Sequence, residues 1–159
     1  MAVRITEALK AQLESLKAAL EAVKSCSGEA LGPEKLLADF ERWKTIQGEY
    51  GSYFFGKDGG YIAPKVDGNP YVLRHVHLPP MTDREQLDKW NLDWKRKSRK
   101  TSNRVLVYCQ DGSDYLLIYV LPEPDAHEIA RMENAADRAT MIGFARVAEA
   151  FVNRREVIV

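Results

Sequence analysis

The stretch RVLVYCQ-DGSD-YLLIYVL, residues 104–121, decides the fold. Two runs rich in β-branched and aromatic residues flank a four-residue segment whose Asp and Gly residues are typical of a hairpin turn. The pattern predicts two antiparallel strands, at 104–110 and 115–121. Because the second run is apolar at every position, we expect a central strand that is covered on both faces.

A third strand is predicted just upstream, over residues 71–78. Its sequence YVLRHVHL is stopped by two prolines, which cannot continue a ladder. Side chains alternate between the two faces of a strand, so Leu73, His75 and His77 are predicted to share one face. The residues predicted on the opposite face are Val72, Arg74, Val76 and Leu78.

Helices are predicted before and after these strands. An amphipathic helix follows an N-cap at Thr6, because apolar residues recur there at spacings of three and four. Its apolar positions are Leu9, Leu13, Leu16, Leu20 and Val23. After a break from Ser25 to Gly32, Pro33 begins a second helix, and a final helix spans roughly residues 137–153.

The predicted order is a short strand at 1–5, two helices, three strands and one or two helices. This order indicates an α+β fold in which an N-terminal helical hairpin packs on a mostly antiparallel sheet with a C-terminal helix. Residues 48–70 are expected to be an ordered loop with a short strand, and residues 81–103 a polar loop with a helical turn. A chain of 159 residues suits a single domain.

Composition argues against several classes of protein. No apolar run reaches the 18 residues of a membrane span and no export leader is recognised, so we expect a cytoplasmic protein without membrane contact. Cys26 and Cys109 are expected to be reduced, and two isolated cysteines do not make a thiolate zinc site. The sequence lacks a P-loop, a dinucleotide-binding glycine motif, a G-x-S-x-G motif and an H-E-x-x-H motif.

Positive charge is concentrated in the middle of a chain whose net charge is zero. Residues 94–104 carry six cations in eleven positions. Such a segment is typical of a strip that binds a polyanion, although a solvated loop explains it equally well. The cations of this strip are Lys95, Arg96, Lys97, Arg99, Lys100 and Arg104.

Three histidines carry the chemistry that the sequence permits. His75 and His77 share a strand face, and His127 falls in the first turn of the helix after the hairpin. Two imidazoles and a cation suit RNA cleavage by the 2′-hydroxyl, since one group accepts the 2′ proton, another protonates the leaving 5′ oxygen, and the cation offsets charge on phosphorus. Imidazole suits both proton transfers because its pKa lies near neutral pH.

Other interpretations of these residues stay open at this point. A His-x-His pair on a strand also has metal-ligand spacing, and both histidines could be structural. Tyr108 could donate a hydrogen bond to a phosphate or stack on a base, or it could simply cover the sheet.

Several blocks of sequence resemble the YafO family of bacterial type II toxins. They are His75–Leu78, Ser98-Arg99, Leu106–Gln110, Leu116–Ile118, Pro122–Pro124, His127 with Ala130-Arg131, and Ala148–Phe151. The blocks occur in the family's order with similar gaps over residues 33–155. We therefore expect a single toxin domain with an N-terminal helical extension, residues 1–32, and a family-like core, residues 33–155.

The resemblance implies a ribosome-dependent mRNA interferase with a RelE-like architecture. Such a protein cleaves translated mRNA, contacts rRNA, and is neutralised by a cognate YafN-like antitoxin. No cofactor or metal is expected. This chain departs from the family's shorter members in its N-terminal helix and in its tail, Glu156–Val159. These differences leave the antitoxin interface and the oligomeric state open, including a homodimer through the N-terminal helix.

The matching blocks place five polar side chains where they could handle a phosphodiester: His75, His77, Arg99, Tyr108 and His127. We predict His77 and His127 as base and acid, in unspecified order, and Arg99 as the group that stabilises charge. The predicted RNA-backbone contacts are Lys95, Arg96, Lys97, Lys100 and Arg104. Two further hypotheses are a non-catalytic module that blocks translation by occupying the ribosome, and a metal-dependent nuclease that uses His75 and His77.

Overall fold

A computed structural model describes residues 1–23 and 32–158 of the chain. The strands are β1 (Val3–Ile5), β2 (Asp58–Gly60), β3 (Leu73–His77), β4 (Val105–Asp111) and β5 (Asp114–Leu121). The helices are α1 (Glu7–Val23), α2 (Pro33–Arg42), α3 (Arg84–Lys95), α4 (Ala126–Arg131) and α5 (Ala135–Arg154), and a π-helical turn, Trp43–Gln47, follows α2. Residues 24–31, which include Cys26 and most of the predicted interhelical break, lie outside the described part.

The strands form one five-stranded sheet in the order β1-β5-β4-β3-β2. The β4–β5 hairpin turns at Gly112, whose φ of 61° lies in the left-handed region that glycine tolerates. β1 runs parallel to β5, and every other pair in the sheet is antiparallel. The predicted α+β fold with a mostly antiparallel sheet and a C-terminal helix is confirmed; its likeness to the RelE architecture stays a prediction.

Two hydrophobic cores lie on opposite faces of this sheet. On the first face, which we call the hairpin face, Val76, Leu78 and Leu106 pack against Leu9 and Phe40 of helices α1 and α2. The second, which we call the histidine face, is packed by α5. Its core includes Leu73, Val107, Leu116, Met141 and Phe151. The predicted alternation is therefore confirmed from Leu73 to Leu78, with His75 and His77 on the histidine face. It is wrong for Val72, which precedes β3 and packs against the core of the histidine face as well.

The N-terminal elements are fixed by a buried threonine. As predicted, Thr6 caps α1: its Oγ1 accepts a hydrogen bond from the N–H of Leu9 at 3.1 Å. The same hydroxyl donates to the carbonyl oxygen of Ile118 at 2.7 Å. This carbonyl belongs to β5 next to a shift in the β4–β5 register, so Thr6 joins the start of α1 to an irregular point in the sheet.

The prediction of a mostly irregular segment at 81–103 is wrong, because α3 spans twelve of its residues. Asp83 caps this helix by accepting from the N–H of Gln86 at 3.1 Å. Its buried anchor is Trp90, whose indole N–H donates to the carbonyl of Tyr53 at 3.0 Å. A helix with one fully buried side chain and a polar remainder leaves a weak hydrophobic pattern, and this is why the sequence did not reveal it.

The segment after α3 runs back along the edge of the sheet toward β4. The N–H of Lys57 donates to the carbonyl of Lys100 at 2.8 Å, and the N–H of Leu78 donates to that of Arg104 at 2.8 Å. These bonds place residues 100–104 beside the end of β3, where His77 lies. None of the described helices is long and apolar enough to cross a membrane.

Candidate active site

Three imidazoles meet on the histidine face. β3 places His75 and His77 two residues apart, and the turn after β5 brings His127, the second residue of α4, to the same place. The ring centroids of His75 and His77 are 5.9 Å apart, and those of His77 and His127 are 5.1 Å apart. The structure thus brings together the three histidines that the sequence selected.

Ser102 links two of these rings through its main chain. Its N–H donates to Nδ1 of His77 at 2.8 Å. Its carbonyl oxygen lies 2.8 Å from Nε2 of His127 and accepts the hydrogen of that nitrogen. The serine was not selected from the sequence, because only the path of the 96–104 segment shows that it passes between two histidines.

The side chain of Ser102 holds this turn in place. Its Oγ donates to the carbonyl of Leu78 at 2.5 Å and lies 2.9 Å from the carbonyl of Arg104. The same oxygen accepts from the N–H of Arg104 at 3.2 Å. Ser102 is only 4% exposed, so these bonds form in the protein interior.

Burial keeps two of the three imidazoles neutral. Burial, together with the neighbouring His127 and His75, lowers the pKa of His77 to about 4, while a hydrogen bond with the main chain of Ser102 opposes the shift. Burial likewise lowers the pKa of His75 to about 4, with Asp58 opposing the shift and His127 adding to it. At neutral pH both rings are therefore uncharged, and each can carry only one N–H.

His75 has a buried nitrogen without a partner. Its ring stacks on Tyr61, with centroids 4.3 Å apart, and its Nδ1 is buried with no hydrogen-bond partner among the described residues. Beside the ring lies Gly59 of β2, where an added Cβ would stand 3.7 Å from Cε1 of His75 and 4.0 Å from Nε2. An unsatisfied buried polar atom is rare in folded proteins and is favoured where a site serves chemistry.

Lys57 supplies positive charge to this face, although sequence reasoning missed it. Its carbonyl accepts from the N–H of His77 at 2.9 Å, so the two residues lie opposite one another at the start of the β2–β3 ladder. Residues opposite one another in a ladder share a face, and the ammonium of Lys57 lowers the pKa of both His75 and His77. Only the pairing of β2 with β3 would have identified Lys57 as a neighbour of the histidines.

Tyr108 lies on the hairpin face, away from the histidines. It is fully buried, and its hydroxyl donates to Oδ1 of Asp58 at 2.5 Å. The hydroxyl oxygen accepts from Nζ of Lys44 at 3.1 Å and from Nε of Arg74 at 3.2 Å. Burial and the Asp58 carboxylate raise the pKa of Tyr108 well above its usual value. The structure therefore does not bring Tyr108 together with the histidines, with which the sequence grouped it.

The carboxylate of Asp58 also pairs with two cations on the hairpin face. Oδ2 of Asp58 pairs with Nζ of Lys44 at 3.1 Å and with Nη2 of Arg74 at 3.4 Å. Burial lowers the pKa of Lys44, while Asp58 opposes that shift. We call Lys44, Asp58, Arg74 and Tyr108 the Asp58 cluster. Each of its members is hydrogen-bonded to another member.

The predicted cationic strip divides into exposed and buried members. Lys95, Arg96, Lys97 and Arg99 are exposed. Lys100 is 2% exposed, and its ammonium donates to the carbonyl of Ser52 at 2.6 Å beneath Trp90. Arg104 is 6% exposed, and its Nη1 donates to the carbonyl of Pro79 at 3.2 Å. Because backbone carbonyls hold both groups in the interior, neither can reach an RNA backbone in this conformation, and we remove both from the predicted contacts.

Arg99, predicted to stabilise charge beside the histidines, contacts a different group. Its Nε pairs with Oε1 of Glu49 at 3.1 Å; the Arg99 side chain is 52% exposed and the Glu49 side chain 37%. Glu49 lines a cavity of about 210 Å³ together with Lys44 and Asp58, which belong to the hairpin face. In the described part of the chain, no group of three or more His, Cys, Asp or Glu residues is arranged to hold a metal ion.

Comparison with known proteins identifies a family. A family model described as "Toxin YafO, type II toxin-antitoxin system" matches residues 41–153, which contain the three histidines, Lys57, Ser102 and the whole Asp58 cluster. Neither a curated protein nor a solved structure matches the chain.

Proposed function

The chain belongs to the YafO family of type II toxin–antitoxin toxins, and on this premise we propose that it is a ribosome-dependent endoribonuclease that cleaves translated mRNA. In the proposed reaction the 2′-hydroxyl oxygen of one nucleotide attacks the adjacent phosphorus, and the P–O5′ bond breaks. The 2′ proton passes to a base and the leaving 5′ oxygen takes a proton from an acid. The products are a 2′,3′-cyclic phosphate and a 5′-hydroxyl end.

The observation that carries this proposal is the meeting of three imidazoles on one face of the sheet. The centroid separations of 5.1 and 5.9 Å allow two rings to reach groups on the same phosphodiester. General acid–base catalysis by positioned imidazoles contributes about 10²–10⁴-fold to a rate. The Asp58 cluster offers no such free groups, because its charges and its hydroxyl are already paired with one another.

Lys57 is the proposed source of charge stabilisation. Negative charge increases on the phosphoryl oxygens in the transition state, and a cation fixed beside the reacting atoms stabilises it. Lys57 lies opposite His77 in the ladder, whereas the contact found for Arg99 is with Glu49. We therefore assign charge stabilisation to Lys57 and keep Arg99 as a surface cation that contacts RNA.

The remaining exposed cations are proposed to guide binding. Lys95, Arg96, Lys97 and Arg99 lie at and after the end of α3, and they would contact the backbone of rRNA or mRNA. Membership of the family implies an antitoxin partner. We propose a YafN-like antitoxin whose acidic segment covers these cations. We also propose that the chain can form a homodimer through α1.

Mapping of mRNA ends in cells tests the proposed activity. Expression of the protein is expected to arrest growth and to produce new 5′ ends within translated messages, and a His127→Ala variant is expected to produce neither. Intact transcripts on stalled ribosomes would contradict the nuclease and favour a non-catalytic module that blocks translation by occupying the ribosome. Transcripts that stay whole while ribosomes run normally would contradict both.

A second experiment separates the proposed mechanism from a metal-dependent one. Purified protein is added to ribosomes programmed with a short message, where cleavage is expected. The protein, freed of metal by a chelator that is then removed, is expected to cleave at an unchanged rate once the Mg²⁺ needed by the ribosome is restored. Activity that returns only with an added transition metal would favour the alternative that uses His75 and His77.

A further inference from the structure

The main chain of Ser102 donates a hydrogen bond to one histidine and accepts one from another, and this difference distinguishes the roles of the two rings. Nδ1 of His77 faces a backbone N–H, so it must present its lone pair. Nε2 of His127 faces a backbone carbonyl, so it must carry a hydrogen. One residue therefore acts as a donor to one ring and as an acceptor from the other.

We infer that Ser102 is a positioning residue that fixes the two rings as complementary tautomers. His77 is held as the tautomer with hydrogen on Nε2, and His127 as the tautomer with its free lone pair on Nδ1. This inference rests on the proposed function for its chemical meaning, but the tautomers themselves are a property of the folded protein.

The tautomer of His77 makes it a hydrogen-bond donor rather than a base. A neutral ring with its Nδ1 lone pair occupied has only Nε2–H to offer, and a neutral N–H can donate to a phosphoryl oxygen without giving up its proton. Moving that hydrogen to Nδ1 would set two N–H groups against each other. The burial of His77 favours the neutral ring in which this arrangement holds.

The tautomer of His127 makes it the proton-transfer group. Its Nε2–H is anchored on the Ser102 carbonyl in both the neutral and the charged ring, so Nδ1 can gain and lose a proton without disturbing the anchor. His127 is exposed, in contrast to His77, so its free nitrogen is open to substrate. The proton taken from the 2′-hydroxyl oxygen would move to this Nδ1, which would then give a proton to the leaving 5′ oxygen and return to the neutral ring.

The hydroxyl of Ser102 is the part that a substitution can remove. Its oxygen joins the backbone of Leu78, at the end of β3, to that of Arg104. Without it the turn keeps its main-chain groups but loses the side-chain bonds that hold them against the two rings. Ser98, an exposed serine on the same segment, provides a matched control.

Long-range ¹H–¹⁵N NMR correlations of the histidine rings test the inference directly on the full chain, without RNA. In the wild type the spectrum at neutral pH is expected to show His77 with hydrogen on Nε2 and a hydrogen-bonded Nδ1. In Ser102→Ala both rings are expected to become mixtures of tautomers, whereas Ser98→Ala should match the wild type. Ser102→Thr restores a hydroxyl and is expected to recover the wild-type spectrum at least in part.

Cleavage of a message on programmed ribosomes tests the functional consequence of the inference. Ser102→Ala is expected to lower the single-turnover rate about tenfold or more, because an imidazole without its orienting partner is populated in the wrong tautomer. A wild-type His77 ring with hydrogen on Nδ1 would overturn the inference, and so would unchanged ring tautomers in a folded Ser102→Ala variant. Wild-type protein that shows the expected tautomers but does not cleave would overturn the proposed function instead.

Discussion

The two faces of the sheet hold two polar clusters that differ in how completely their groups are paired. On the hairpin face the hydroxyl of Tyr108 has three partners, and Asp58 is bonded to Lys44, Arg74 and Tyr108. On the histidine face, Nδ1 of His75 is buried and finds no hydrogen-bond partner within the part of the chain that the structure describes. A saturated cluster stabilises a fold, whereas a buried polar atom left unpaired lowers stability and is more often found at functional sites.

The same comparison explains why the polar residues near this edge of the sheet do not form one site. Asp58 and Gly59 are neighbours in β2, yet alternation directs Asp58 to the hairpin face and brings Gly59 beside His75 on the other. The first residue therefore joins a network of ion pairs, and the second leaves room beside an imidazole. Substitutions on the two faces should have separable effects on stability and on cleavage.

The largest effect is expected for His127→Ala. Loss of the proposed proton-transfer group should lower the single-turnover cleavage rate about 10²–10⁴-fold. The exposed position predicts little change in the free energy of unfolding, measured by denaturant titration. The exposed residue Glu128, changed to Gln, is the control in the same helix. A His127→Ala rate within threefold of wild type would show that the histidine face does not transfer the proton.

The opposite pattern is expected for Tyr108→Phe. Removal of the hydroxyl leaves Asp58, Lys44 and Arg74 each without one partner, which should lower the free energy of unfolding by about 1–3 kcal/mol. The cleavage rate of the folded variant should be unchanged. Tyr119→Phe, on the neighbouring strand β5, controls for the loss of a hydroxyl. A large fall in rate with unchanged stability would place catalysis on the hairpin face.

Stability is expected to depend on pH through His75. Its pKa is about 4 in the folded protein and near its ordinary value of 6.5 in the unfolded chain, so the unfolded state binds the proton first as pH falls. The free energy of unfolding should drop from about pH 6.5 downward, and the drop should level off near pH 4. In His75→Phe, the loss between pH 7 and pH 5 should be about 1–2 kcal/mol smaller. Identical curves for both proteins would contradict the lowered pKa.

A smaller effect is expected for Lys57→Ala on RNA binding. Loss of one phosphate contact should weaken binding of a single-stranded RNA several-fold and reduce the dependence of log Kd on log salt by about 1. The cleavage rate at saturating RNA should fall as well, because the ammonium also stabilises the transition state. Lys65→Ala, an exposed lysine of the β2–β3 loop, is the matched control. Equal behaviour of the two variants would remove Lys57 from the site.

The smallest effect on stability is expected for Arg99→Ala. Its ion pair with Glu49 is largely exposed, and such pairs contribute about 0–1 kcal/mol. The free energy of unfolding should stay within about 0.5 kcal/mol of wild type, and cleavage at saturating RNA should fall less than in Lys57→Ala. A greater loss of cleavage in Arg99→Ala than in Lys57→Ala would restore the charge-stabilising role that the sequence predicted.

Much of the fold was predictable because its signals are local. The Asp111–Asp114 turn, the alternation within β3 and the periodic leucines of α1 each depend on neighbours in the chain. The helix α3 was missed because its core contact depends on one tryptophan, and that contact is made with a loop rather than with a second periodic element. Such a helix is defined by tertiary packing more than by its own pattern.

The site residues could be predicted from the sequence only where the type of residue itself indicates its chemistry. The three histidines could be selected because the chain contains only three and two share a strand. Lys57 and Ser102 could not, because their importance depends on backbone pairing with His77 across long intervals of sequence. Tyr108 was grouped with the histidines because alternation within β4 does not say which of its faces carries the histidines of β3 until the register is known.

The chemistry of the cleaved ends tests the central claim most directly. Purified protein is incubated with ribosomes programmed with a message, and the new 3′ ends are identified by mass spectrometry beside a message with one 2′-deoxynucleotide at the cleavage position. Attack by the 2′-hydroxyl assisted by the histidine face predicts 2′,3′-cyclic phosphate ends and no cleavage at the deoxynucleotide. Ends bearing a 3′-hydroxyl, or cleavage at the deoxynucleotide, would contradict it.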